Sequence, residues 1–135
     1  MPTSLLPSHP SPRETWAAQA VDLICADLAE LGVSLHGRRV QVLVDELEWL
    51  GGSCCSSVGG VHIVRLSSAL ADAEQAAAVL THELLHAIDN CQSDHGGRWA
   101  ALAQLLGIRR TGAELEAGSL AQAIVGRVVA ELPSW

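Results

Sequence analysis

The chain contains no lysine, no tyrosine and no phenylalanine. All eight basic residues are arginines, set against fifteen acids, and the formal net charge is −7. A surface of that sign repels a phosphate backbone unless its basic residues cluster, which argues against nucleic-acid binding. The only basic pairs are Arg38-Arg39 and Arg109-Arg110, each expected to be a solvated turn or helix end. Four tryptophans are the only aromatic residues, so a core must be built from alanine, leucine and valine. No apolar run approaches the ~18 residues needed to span a bilayer. Residues 1 to 12 lack a basic region followed by an apolar run, so no secretory signal is expected there. That segment holds four of the five prolines and reads as a flexible lead-in over 1–11. The cysteines, Cys25, Cys54, Cys55 and Cys91, form no CxxC pair, and adjacent Cys54 and Cys55 cannot easily bridge each other. They read as reduced thiols of a cytoplasmic protein.

What is present is His82-Glu83-Leu84-Leu85-His86. Residues four apart share a face of a helix, so His82 and His86 can offer two imidazoles to one metal ion. Glu83 stands one position round, within reach of a water on that metal. HExxH is the zinc-peptidase arrangement of two ligands and a general base. With six histidines and nine glutamates in 135 residues, HExxH would arise by chance roughly 2% of the time, before a helix around it is required. The context supplies that helix. Asp72 can cap it with Gln75 three residues on, Gly and Pro are absent until Gly96, and Asn90 is a suitable stop.

A catalytic zinc usually takes three protein ligands and keeps one position open. His95 is the preferred third ligand. It follows the turn-like stretch Asn90-Cys91-Gln92-Ser93-Asp94, long enough to reverse the chain, and precedes a second helix over 98–106 with Trp99, Leu102, Leu105 and Leu106 on one side. Glu114 or Glu116 is the alternative, as in thermolysin-like sites, although Thr111 to Glu114 also reads as a capping box. The metzincin pattern fails, because Asp89 and Gln92 stand where it requires glycine and histidine. Asp89, just beyond His86, can orient a ligand imidazole or simply cap the helix. Cys91 lies close enough in sequence to be weighed as a metal neighbour against the plainer reading of a reduced thiol.

The run from His82 to Trp99, with HExxH, a short loop, His95-Gly96 and then Trp99, resembles the signature of the SprT-like, or Spartan-type, metallopeptidases. Upstream, Val40 to Val44, Gly51-Gly52 and Val61 to Ser67 resemble that family's strand, glycine turn and strand ahead of the active helix. The resemblance covers roughly residues 15 to 107. It implies zinc, one per chain, on His82, His86 and His95, with Glu83 as general base, and it implies a protein or peptide substrate. Members of that family clear proteins crosslinked to DNA, so DNA association is implied by resemblance and opposed by the charge of −7. The chain departs from the family in lacking the CxxC pairs of a zinc ribbon. Without a tyrosine, the stabiliser of an oxyanion falls to His62 or Arg98.

These features predict an α+β domain over 12–135, minimal and zincin-like. A three-stranded antiparallel or mixed sheet, with strands near 40–45, 53–58 and 61–66, packs against an N-terminal helix and the HExxH helix, with C-terminal helices completing it. The first helix starts at Ser11-Pro12-Arg13-Glu14, a serine cap with proline at the first position and glutamate at the third, and ends at Gly32. The last spans about 119–131. In zinc peptidases the strand beside the active helix often takes an extended substrate by strand addition, which would give that role to 61–66. Its alternation puts Val61, Ile63 and Arg65 on one side and His62, Val64 and Leu66 on the other, so His62 either turns toward the cleft or is a surface histidine on a strand. The expected activity is that of a zinc-dependent endopeptidase. Its rivals are a non-catalytic zinc module, closed by a fourth ligand such as Cys91, Asp94 or a late glutamate, and an interaction protein in which HExxH is coincidental and binds no metal.

Overall fold

The computed structural model of the chain describes residues 2–54, 56–109 and 113–135. Helix α1, Pro12–Glu30, begins where the sequence says it should. The Ser11 hydroxyl accepts from the Glu14 backbone N–H at 3.2 Å, and the Glu14 carboxylate accepts from the Ser11 N–H at 3.0 Å. The other Glu14 oxygen accepts from the Val44 N–H at 3.0 Å and ties the helix start to a strand end. Burial raises the Glu14 pKa, but the bonds from the Ser11 and Val44 backbones and the Ser11 hydroxyl outweigh it and hold the carboxyl below its ordinary value.

Strands follow at β2 (Arg39–Asp45), β3 (Gly52–Cys54) and β4 (Val61–Ser67), with a short β1 at Ser4–Leu5. The sheet order is β1-β2-β4-β3, with β1, β2 and β4 parallel and β3 antiparallel to β4. The class is therefore α+β, with four strands where three were expected. The added strand is β1. Residues 1–11 read as a flexible lead-in, yet Ser4 and Leu5 pair with Val40 and Gln41. Asp22 on α1 fixes them there, accepting from the backbone N–H groups of Thr3 and Ser4 and from the Ser4 hydroxyl at 2.9–3.0 Å. Of the predicted 53–58 strand, the described residues show β3 at Gly52–Cys54, and Cys55 lies outside them.

Alternation sorts the sheet faces. Val40, Val42, His62, Val64 and Leu66 are buried, while Arg39, Gln41, Ile63 and Arg65 on the opposite face are not. Helix α2, Ala73–Ile88, packs against β3, β4, α1, α3 (Gly97–Leu106) and α4 (Leu120–Glu131). A helix enclosed on most sides must be apolar on most sides. Leu80, Leu84, Leu85 and Ile88 of α2 are almost fully buried, each contributing roughly 1.5–3 kcal/mol of burial free energy. Asp72 caps its start by accepting from the Gln75 N–H at 2.9 Å. Asp89 ends it, with Asn90 and Cys91 in the left-handed region at φ 54°. Among the described residues, no helix is long and apolar enough to cross a membrane.

Candidate metal centre

Against that apolar helix, the buried polar residues on α2 stand out. Thr81 is satisfied by donating to the Ala77 carbonyl at 2.8 Å. His82 and Glu83 are buried and His86 partly so. One turn apart, the two imidazoles face the same side, and the loop after Asp89 returns His95 to them. The three Nε2 atoms form a nearly equilateral triangle with sides of 3.2, 3.2 and 3.3 Å. Three ligands of a tetrahedral zinc, each about 2.0–2.1 Å from the ion, stand ~3.3–3.4 Å apart, so the triangle has the size of one face of that tetrahedron. The donor set fits zinc by size and by chemistry, neutral imidazole being among its preferred ligands. Burial, and then the neighbouring His82 and His95, pull the His86 pKa down to about 4 against the opposing influence of Asp94 and Asp89. Its imidazole is therefore neutral at pH 7, the form a metal requires.

The sequence explains how His95 is delivered. Asp89 at the end of α2 accepts from both the backbone N–H (2.7 Å) and the hydroxyl (3.0 Å) of Ser93, which folds the loop back. Asp89 thus acts on the loop, a role its position alone did not disclose. The carboxylate near an imidazole is instead Asp94, with Oδ1 3.4 Å from His95 Nδ1, a position suited to orienting that ligand. Trp99 closes the back of the site. It is 1% exposed, its ring lies 4.8–5.3 Å from all three imidazole centroids, and it stacks on His86 at 19°. Its indole N–H points to the His82 carbonyl at 3.4 Å. In the sequence Trp99 was legible as part of the signature and of an apolar face, but not as the wall of the triad.

Glu83 sits beside the triad, Oε2 3.7 Å from His82 Nε2, and burial pushes its pKa up to about 7. A cation on the triad would draw that value down again. The three histidines and Glu83 line a cleft of about 320 Å³ whose other walls include Trp49, Leu50, Gly52 and Val79. Gly52 is required here by close approach. A Cβ at that position would lie 2.8 Å from the Arg65 carbonyl oxygen and 3.1 Å from both the Glu83 Cγ and a Val79 methyl. The absent side chain lets β3 lie directly on the helix that carries the site.

Three expectations about the cleft are corrected. His62 does not face the cleft. Its strand parity turns it inward with Val64 and Leu66, it is fully buried, and its Nε2 is 2.6 Å from Arg38 Nη1. Arg98 is exposed on the first turn of α3 and does not line the cleft, so neither residue is placed to steady an oxyanion there. Strand 61–66 cannot accept a substrate strand, because β4 is paired on both sides, with β2 and β3. The terminal strand beside the cleft is β3.

The alternative third ligands are exposed. Glu114 and Glu116 fall outside the histidine cluster, and the Thr111 end of the proposed capping box lies outside the described residues. The Arg38-Arg39 pair is not a solvated turn. Arg38 donates to the carbonyls of Ala87 and Ile88 at the end of α2, and Arg39 to that of Ser4. Arg110 of the second pair lies outside the described residues. No protein-family model, curated protein or solved structure matches the chain.

Proposed function

We propose that the protein is a zinc-dependent endopeptidase of the SprT-like type, holding one zinc per chain on His82, His86 and His95. The observation that carries the reading is the triangle of Nε2 atoms, sized for one face of a tetrahedral zinc, with the Glu83 carboxylate beside it in an open cleft. A zinc ion bound there supplies a water acidified toward neutrality and an electrophile for the scissile carbonyl.

The remaining steps belong to the chain. Glu83 accepts a proton from the attacking water and delivers it to the leaving amine. Trp99 and the apolar wall of Val79 exclude bulk water from one side of the triad and fix its rings. Asp94 and the Asp89–Ser93 turn hold His95 in position. An extended peptide would lie along β3, the strand whose Gly52 borders Glu83, and strand addition would supply backbone hydrogen bonds. DNA association gains no support: the charge is −7, and Arg38 and Arg39 spend donors on internal carbonyls. The test is hydrolysis of an unstructured protein such as casein by the zinc-loaded chain, with Glu83→Gln as control. Cleavage by the wild type that vanishes in a variant still holding zinc supports the reading. Cleavage that persists in that variant removes Glu83 as the base.

A further inference from the structure

A second group of ligating atoms lies outside the histidine triad. Cys54 on β3, His62 on β4 and Cys91 in the loop leading to His95 each offer one atom, all within 4.8 Å of one another. Two thiols and an imidazole would suit zinc by donor type. The hydrogen bonding of His62 speaks against it. A guanidinium only donates, so the His62 Nε2 atom 2.6 Å from Arg38 Nη1 must be the acceptor. The ring proton of the neutral imidazole is then on Nδ1. One nitrogen is engaged and the other carries hydrogen, which leaves no lone pair for a metal, and the guanidinium charge beside the ring opposes a second cation. Arg38 is held in place by its bonds to the Ala87 carbonyl (2.8 Å), the Ile88 carbonyl (3.2 Å) and the Asn90 side-chain oxygen (2.9 Å).

The two sulfurs remain. Cys91 Sγ lies 3.9 Å from Cys54 Sγ. A disulfide needs about 2.0 Å, so roughly 2 Å must be closed, a distance that side-chain rotation can cover. Both residues are only partly buried and can be reached by a small oxidant. We infer that Cys54 and Cys91 are a redox-active dithiol that a peroxide oxidises to an intramolecular disulfide. One thiolate attacks the peroxide O–O bond and takes up one oxygen as a sulfenic acid, the other oxygen leaving as water. The second thiolate attacks the sulfenyl sulfur, the S–S bond forms, and the departing hydroxide is protonated to a second water. Two electrons pass from the sulfurs to the peroxide, and both thiol protons end in water. The bond fastens the loop that carries His95 to the strand beside the cleft. The inference does not depend on the metal centre being occupied.

Cys25 provides an internal control. Burial, and then Asp22, push its thiol up to about 12, so it has almost no thiolate at neutral pH. The experiment treats the chain with hydrogen peroxide at pH 7, alkylates remaining thiols, cleaves after arginine and identifies crosslinked peptides by mass spectrometry. Cleavage after Arg39, Arg65 and Arg98 places Cys54 in residues 40–65 and Cys91 in 66–98. Cys55 shares the first peptide and lies outside the described residues, so Cys55→Ser is run in parallel to make the crosslink unique. The expected result is a 40–65 to 66–98 crosslink within the monomer, with the loss of two alkylatable thiols per chain and Cys25 unchanged. Thiols that persist at Cys54 and Cys91 would overturn the inference, as would crosslinks only between chains. A second zinc per chain that is lost in Cys91→Ser would also overturn it, because the sulfurs would then belong to a metal.

Discussion

Among the described residues, two compact clusters of side chains could hold a metal ion, and they differ in what the rest of each imidazole is doing. At His82, His86 and His95 the Nε2 atoms converge on one point, and the His95 Nδ1 faces the Asp94 carboxylate. At Cys54, His62 and Cys91 the ligating atoms are also close, but the Nε2 of His62 accepts from Arg38. Proximity is common to both. In the first the three Nε2 atoms face one another, whereas in the second the Nε2 is already engaged by Arg38. A candidate metal centre is therefore read from the partners of its side chains as much as from the side chains, and by that standard the first cluster is the one open to a metal and the second a pair of thiols beside a histidine engaged by Arg38.

The largest expected effect lies in the first cluster. Glu83→Gln should lower peptide hydrolysis by roughly 10²- to 10⁴-fold while leaving zinc stoichiometry unchanged, checked by turnover and elemental analysis of the same preparation. The comparison itself can be broken at Arg38. Arg38→Met releases the His62 Nε2, so a second, weaker zinc equivalent should appear on titration. The same change should lower the melting temperature, because the carbonyls of Ala87 and Ile88 lose a charged donor worth roughly 1.5–3 kcal/mol per bond. A stoichiometry that stays at one in a folded Arg38→Met protein would show that Arg38 is not what keeps metal from the second cluster.

Gly52→Ala should cost about 1–3 kcal/mol by overpacking, visible in denaturant unfolding, because its methyl would meet the Arg65 carbonyl and the Glu83 stem. Activity should fall with it, since relief of the clash moves β3 or Glu83. The smallest effect concerns Cys25. Its thiol pKa is raised on folding, from the ordinary 9.0 to about 12, so the folded state disfavours the thiolate. The corresponding stability is fully present below pH 9 and is lost as pH rises from 9 toward 12. Cys25→Ala should flatten that alkaline decline.

Much of this was legible in the sequence because the signals were local. Ser11 and Glu14 capped α1 as a reciprocal box, Asp72 capped α2, and the i, i+4 histidines followed from helix geometry alone. His95 was reachable because a loop of that length must reverse. What escaped depends on contacts distant in sequence. The strand at Ser4–Leu5 exists because Asp22 and β2 hold it, and nothing within residues 1–11 announces either partner. The parity of 61–66 was read correctly, but which face was inward was settled only by packing, and packing took His62 into the interior. Arg38 looked like half of a surface pair, whereas its donors close the end of α2 some fifty residues later in the chain. Asp89 was read either as orienting an imidazole or as capping the helix; it is the cap residue of α2, and its carboxylate is taken by Ser93 rather than by an imidazole.

The central claim is that three histidines form one zinc site. It is tested most directly by elemental analysis of the purified chain beside His95→Ala. The account predicts one zinc per chain in the wild type and loss of stoichiometric zinc in the variant. A wild type that takes up no metal when zinc is supplied, or a variant that retains a full equivalent, would contradict it.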